Sequence, residues 1–312
     1  MSAVSQPEMT GTEAAQPARA PVMGRKWSRD RVERRVFGVL RWVVIAGFLI
    51  ATLLPFYYMV MLSIRPIEDL LRNPDSLWVS NFTLDTYREV LAPVTEGGQG
   101  FVSMLRNSTI VAVASVLLAL AIAIPGAYAI ARLPFFGRRY ISVLFLAVYM
   151  FPAIVLAIPL FVMLTKLELR GSLAGLILVY ISQTVPVAIY TLRNYFETVP
   201  ESIEEAGLVD GLTRLQIIRR ISLPLAMPSI MATGLFVFMI AWNEFLFALL
   251  FLADNRDNWT VSIGLATLSG SVEVPTTVLM AGSVVITLPI VILFFLTERL
   301  LTEGLTAGAE KG

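Results

Sequence analysis

The chain has 312 residues, 56% of them hydrophobic and 15% charged, with a formal net charge of +1. That is too apolar for a soluble domain, and the excess is gathered in runs of about 20 residues, the length that crosses a ~30 Å hydrocarbon core. There is no cysteine and no histidine, which excludes disulfides and thiolate metal sites and removes the commonest general base.

In chain order, residues 1 to 24 are rich in Ala, Pro, Ser, Thr and Gln, with little to bury, which predicts disorder. The run "RKWSRDRVERR" follows, so residues 1–35 read as a basic tail beside an anionic membrane surface. The first apolar run, 39–63, is too long and starts too late for a signal peptide and predicts a retained helix. Further runs at 107–131, 140–164, 172–193, 228–252 and 277–299 make six spans. Pro55, Pro125, Pro152, Pro159, Pro186 and Pro289 lie inside them. A bilayer tolerates such kinks where neighbouring helices or water satisfy the freed backbone groups. The expectation is an all-α polytopic membrane protein, with a six-helix domain over 36–301 packed around a pathway and a short tail over 302–312.

Basic residues set the orientation. Seven precede the first span, Arg132, Arg138 and Arg139 fall in the second connection, and Arg193, Arg214, Arg219 and Arg220 in the fourth. The long first connection is mixed, with Glu68, Asp69, Asp75, Asp85, Glu89 and Glu96 among its arginines, and the last outer connection has only Arg256. The bias puts both termini in the cytoplasm. Trp78, Phe82 and Tyr87 in the first connection suit an interfacial aromatic belt, or a platform for an external protein.

The fourth connection, 195–227, breaks the apolar pattern with "SIEEAGLVDGLTRLQIIRRISLPLAMP". Pro200 suits a first helical turn, and Glu201, Glu204 and Glu205 suit the positive end of its dipole. Ala206 and Gly207 offer a nearly flat surface, and Gly211 is free to stop the helix at positive φ. Thr213 and Gln216 have capping-box spacing for a second helix. Ile218, Ile221 and Leu225 then recur at helical intervals, and Pro224 and Pro228 are expected to end that element.

Glu205-Ala206-Gly207, three residues, Gly211, nine residues, Ile221, one residue, Leu223-Pro224 resembles the EAA signature of permease subunits of binding-protein-dependent ABC importers; Gly207 stands where the family has a second Ala. "LRNSTIVAVASVLLALAIAIPGAYAIARLPFFGRR" and "AWNEFLFAL" are similar to the second and fifth spans of carbohydrate-type members, and "GLTAGAEKG" to the tail of the maltose-type subunit.

The resemblance implies a type I importer permease with a MetI-like fold, in a bacterial inner membrane. It implies that Glu205, Ala206, Gly207, Asp210, Gly211, Ile221, Leu223 and Pro224 couple the chain to an ATPase. Gly304, Leu305, Thr306, Gly308 and Lys311 in the tail would touch the same partner. The implied partners are two copies of an ABC ATPase, a second, related permease, an extracytoplasmic solute-binding protein and membrane lipid, with no nucleic acid. ATP and magnesium would sit on the ATPase, because no phosphate-binding G-x-x-x-x-G-K-[ST] loop is present here and no cofactor is expected on this chain. The solute would be a di- or oligosaccharide or related carbohydrate.

Trp242, Asn243 and Glu244 lie inside the fifth apolar run. A carboxylate at that depth costs ~2.5 kcal/mol or more, so it should face a cavity or a partner. Two readings stand: Asn243 and Glu244 line a solute path while Trp242 stacks on a sugar ring, or all three join helices. Gln183 and Asn194 are weaker neutral candidates. An ion-coupled secondary transporter is the alternative function, although such proteins usually show internal repeats and several buried ionisable groups.

Overall fold

The computed structural model describes the backbone from Lys26 to Ala309 except Val272, and side chains from Glu33 to Glu298 except Arg139 and Val272. Thirteen α-helices account for most of this range: α1 (Lys26–Ser63), α2 (Ile67–Arg72), α3 (Asp85–Leu91), α4 (Phe101–Arg132), α5 (Arg138–Met150), α6 (Ala157–Lys166), α7 (Leu173–Thr198), α8 (Glu201–Val209), α9 (Arg214–Ile217), α10 (Leu223–Asn243), α11 (Leu246–Leu252), α12 (Val261–Gly270) and α13 (Thr276–Ala309). Among the described residues five helical stretches are long and apolar enough to cross a membrane, and six if the bent pair α5–α6 counts as one span.

The chain divides within α1 into two compact units, the first ending at Phe56 and the second starting at Tyr57. In the first, the described part is a single helix with exposed apolar side chains such as Phe37, Trp42 and Phe48.

In the second unit, α4 and α7 form the most extensive helix pair, with α10 packed on both and α13 on α10. The sequence explains that pairing. Ser108, Ala112, Ser115, Ala119, Ala123 and Ala127 repeat at three- and four-residue steps on α4, and all are buried. Small side chains let backbones approach closely, which is how helices gain packing in lipid. Leu176, Tyr180, Leu192 and Phe196 of α7 are buried with them.

Two expected continuities fail and one expected break does not occur, each for a local reason. The span expected over 140–164 bends by 87° between α5 and α6. Phe151 and Pro152 are both extended, as the steric clash of proline with its predecessor favours. The span expected over 228–252 stops at Asn243 and restarts at Leu246. Conversely, Pro224 and Pro228 do not end the preceding element. A π-helical turn, Ile218–Ser222, carries α9 directly into α10. Wider π hydrogen bonding just before Pro224 accommodates the N–H that proline lacks. Helix α12 was not expected; the N–H of Val261 donates to Ser108 Oγ at 2.9 Å and Asn107 Nδ2 to the Asp257 and Trp259 carbonyls at 2.7 and 3.0 Å.

The first connection folds around Arg65, 1% exposed, whose guanidinium donates to the carbonyls of Asp69, Asn73 and Ser76, and Thr86 Oγ1 ties it to the end of α1 by donating to the Ser63 carbonyl. Trp78 and Phe82 are exposed, whereas Tyr87 is half-buried, its hydroxyl 2.7 Å from Ser63 Oγ.

Candidate functional site: the charged element of the fourth connection

Helix α8 begins after Pro200, with Glu201 and Glu204 in its first turn. Its end is a Schellman motif: the N–H of Leu212 donates to Gly207 O at 3.0 Å and that of Gly211 to Leu208 O at 3.1 Å, with Gly211 at φ +83°. Asp210 is the C-cap, so it shapes the turn while staying exposed. The capping box expected from Thr213 and Gln216 forms in both directions.

The two short helices fold face to face. A Cβ on Gly207 would lie 3.0 Å from Ile221 Cδ1 and 3.3 Å from Ile217 Cγ1. The flat surface at Gly207 is therefore used by the chain's own second helix, and only Ala206 of the pair faces outward. Ile217 is the deeply buried member of that helix, while Leu225 is exposed. The π turn adds a residue to the local repeat, so a 3.6-residue periodicity read through it loses register. Ile221 and Leu223 are half-buried and Pro224 exposed.

The outward face combines Ile203, Leu208, Val209 and Leu215, all exposed and Val209 at 88%, with the exposed carboxylates of Glu205 and Asp210. Large apolar side chains on a charged, non-spanning segment make this face a candidate contact surface.

The inward face is polar and was missed at the level of sequence. Glu204 Oε2 accepts from Tyr128 Oη at 2.9 Å; Oε1 accepts from Arg132 Nε at 3.2 Å and Ser222 Oγ at 2.9 Å. The side chains of Arg132 and Glu204 are only 5% and 11% exposed. Arg132 also donates to the Val199 carbonyl at 2.6 Å and lies 3.5 Å from Glu201. Beside this cluster is a cavity of about 180 Å³ lined by Tyr128, Arg132, Glu201, Glu204, Glu205 and Arg214 among others. The sequence shows Glu204 only as one acid among three. Its partners lie 72 and 76 residues earlier in the chain and 18 later, which no local pattern reveals.

The second group of expected residues separates. Trp242 is 1% exposed, stacks on Phe238 at 5.3 Å and donates its indole N–H to Ile286 O at 3.1 Å. It is a core residue here, which corrects the reading of it as a sugar-stacking platform. Glu244 accepts from Tyr180 Oη at 2.7 Å and from the N–H groups of Phe247 and Ala248 at 2.8 and 3.0 Å. Its carboxylate restarts the interrupted helix at α11, so the helix-joining alternative describes it. Asn243 remains exposed and lines an open cleft of about 430 Å³ with Phe245, Ser262, Ser269 and Ser283. Gln183 and Asn194 do not line that cleft.

Gly304, Leu305, Thr306 and Gly308 continue α13 as backbone, but their side chains lie outside the described residues, as does all of Lys311 and residues 1–25 of the tail.

Residues 115–303 match the family described as the binding-protein-dependent transport system inner membrane component. The chain belongs to that family. Two relatives span nearly the whole of this permease. It is 41% identical over 268 residues to the inner membrane ABC transporter permease protein YcjP of Escherichia coli K12, covering 86% of this chain and 94% of the relative. It is 36% identical over 285 residues to the trehalose/maltose transport system permease protein MalG of Thermococcus litoralis, covering 91% and 99%. Among solved structures, a chain of a bacterial ABC transporter that imports the acidic polysaccharide alginate superposes with a TM-score of 0.72 at 22% identity, over 90% of this chain and 99% of that one. At that identity the likeness shows the fold, that of ABC importer permeases. Family membership favours a binding-protein-dependent transporter over an ion-coupled one.

Proposed function

We propose that this permease carries a sugar across the bacterial inner membrane, with ATP hydrolysis supplied by a separate ABC ATPase that docks on α8 and α9. The observation that carries this reading is the two-faced construction of that element. Its outer face exposes Ile203, Leu208, Val209 and Leu215, while its inner face is tied to α4 and α10 through Glu204. A segment that only linked two spans would need neither. The permease relative named for trehalose and maltose transport supports a carbohydrate substrate.

Under this reading both termini are cytoplasmic, and the tail after residue 302 reaches the ATPase. An external binding protein delivers the solute, and a second, related permease completes the pathway. Asn243 and the hydroxyls of Ser262, Ser269 and Ser283 are this chain's solute-facing groups. The cleft they line holds no charged residue, which suits neutral hydroxylated ligands. ATP-driven closure of the ATPase pair would shift the bundle between inward- and outward-open states only through contacts that differ between those states.

The test is co-expression with the neighbouring genes, purification into lipid and hydrolysis measured across a panel of sugars with the cognate binding protein. Co-purification of an ATPase and stimulation by one sugar is the expected result. Absence of both would reject the proposal.

A further inference from the structure

The Glu204 carboxylate stands where separate elements converge. Tyr128 and Arg132 come from the last turns of α4, and Ser222 ends the π turn that feeds α10. Arg132 reaches on to the carbonyl of Val199, which caps α7. Apolar contact of Gly207 with Ile217 and Ile221 also holds α8 on the segment that follows. Apolar packing also permits sliding, whereas hydrogen bonds to a buried charge fix direction and distance. Any displacement of α8 must either carry α4 and α10 along or separate Glu204 from Arg132 in a site nearly shut off from water.

We infer that Glu204, through Arg132, is a positioning residue that makes α8 move as one body with α4 and α10. A push on the docking element is thereby passed to the spans and is not absorbed in the loop. This inference rests on the docking role proposed above for α8 and α9. Glu205, the acid that matches the family signature, is exposed and stands at the edge of the cavity beside this joint. Presentation to the partner and transmission into the bundle thus fall to neighbouring carboxylates.

The test uses the full complex in lipid and the Glu204→Gln variant, which retains the side-chain shape and can still pair with Tyr128 and Ser222 but has no charge opposite Arg132. The readouts are ATPase co-purification, KM for ATP, the maximum solute-stimulated hydrolysis rate and solute moved per ATP. Expected are normal co-purification, an unchanged KM and at least a tenfold fall in solute moved per ATP. The double variant Glu204→Gln/Arg132→Gln should be no worse than the poorer single one, because both remove the same link. Unchanged transport per ATP in Glu204→Gln would overturn the inference. So would loss of membrane-inserted protein in both Glu204→Gln and Glu204→Asp, since that would reduce the residue to a folding role. A wild-type complex without solute-stimulated hydrolysis would instead reject the importer reading itself, an outcome recognisable without any variant.

Discussion

Gly207 within α8 and Gly211 just past its end sit four residues apart and are constrained by different physics. At Gly207 the limit is space, since the nearest atoms to an added Cβ are side-chain atoms, Ile221 Cδ1 at 3.0 Å and Ile217 Cγ1 at 3.3 Å. Gly207→Ala, the residue type the family signature carries there, should therefore shift the melting temperature little. Gly207→Val should overpack the pair by about 1–3 kcal/mol, read as a lower Tm of the purified complex; equal Tm values for the two variants would contradict this. At Gly211 the limit is backbone, because nothing lies within 4 Å but φ is +83°. Trp242 and Asn243 divide in the same manner. Trp242→Ala should cost about 3–5 kcal/mol as an excavated core site, whereas Asn243→Ala should leave Tm nearly unchanged and raise the solute concentration for half-maximal import. A raised solute requirement in a correctly folded Trp242→Phe variant, with none in Asn243→Ala, would reverse the assignment.

Among the elements, apolar length and caps were legible in sequence and breaks were not. Five of the six expected spans coincide with a long helix over most of their length, and the capping box at Thr213 was readable because both partners are three residues apart. The interruption after Asn243 was hidden because no proline or glycine marks it. Glu244 creates it by offering its carboxylate to two N–H groups of the next helix, a gain that appears only once the chain has turned. Pro224 misled for the opposite reason, since the π turn ahead of it absorbs the lost hydrogen bond, and Pro228 lies within α10 without ending it. Glu244→Ala should thus behave as a lost helix cap, costing about 0.5–2 kcal/mol, visible as a lower Tm with the solute requirement of the surviving protein unchanged. A changed solute requirement at unchanged Tm would instead place Glu244 in the solute path.

At the scale of the whole molecule, the proposed function makes one charged element on an apolar bundle the joint between the membrane-spanning helices and an energy source outside them. The family signature locates the outward half of that connection, and the fold supplies the inward half at Glu204. The central claim is that the exposed face of α8 is covered by an ATPase. The absence of cysteine from the chain makes it directly measurable. A single Ala206→Cys variant, assembled with its co-purifying subunits in lipid, should cross-link to the ATPase subunit through a short bifunctional reagent. It should also be shielded from maleimide in the complex while reacting fully in the isolated permease. Full maleimide reactivity in the complex with no cross-link formed would contradict the account.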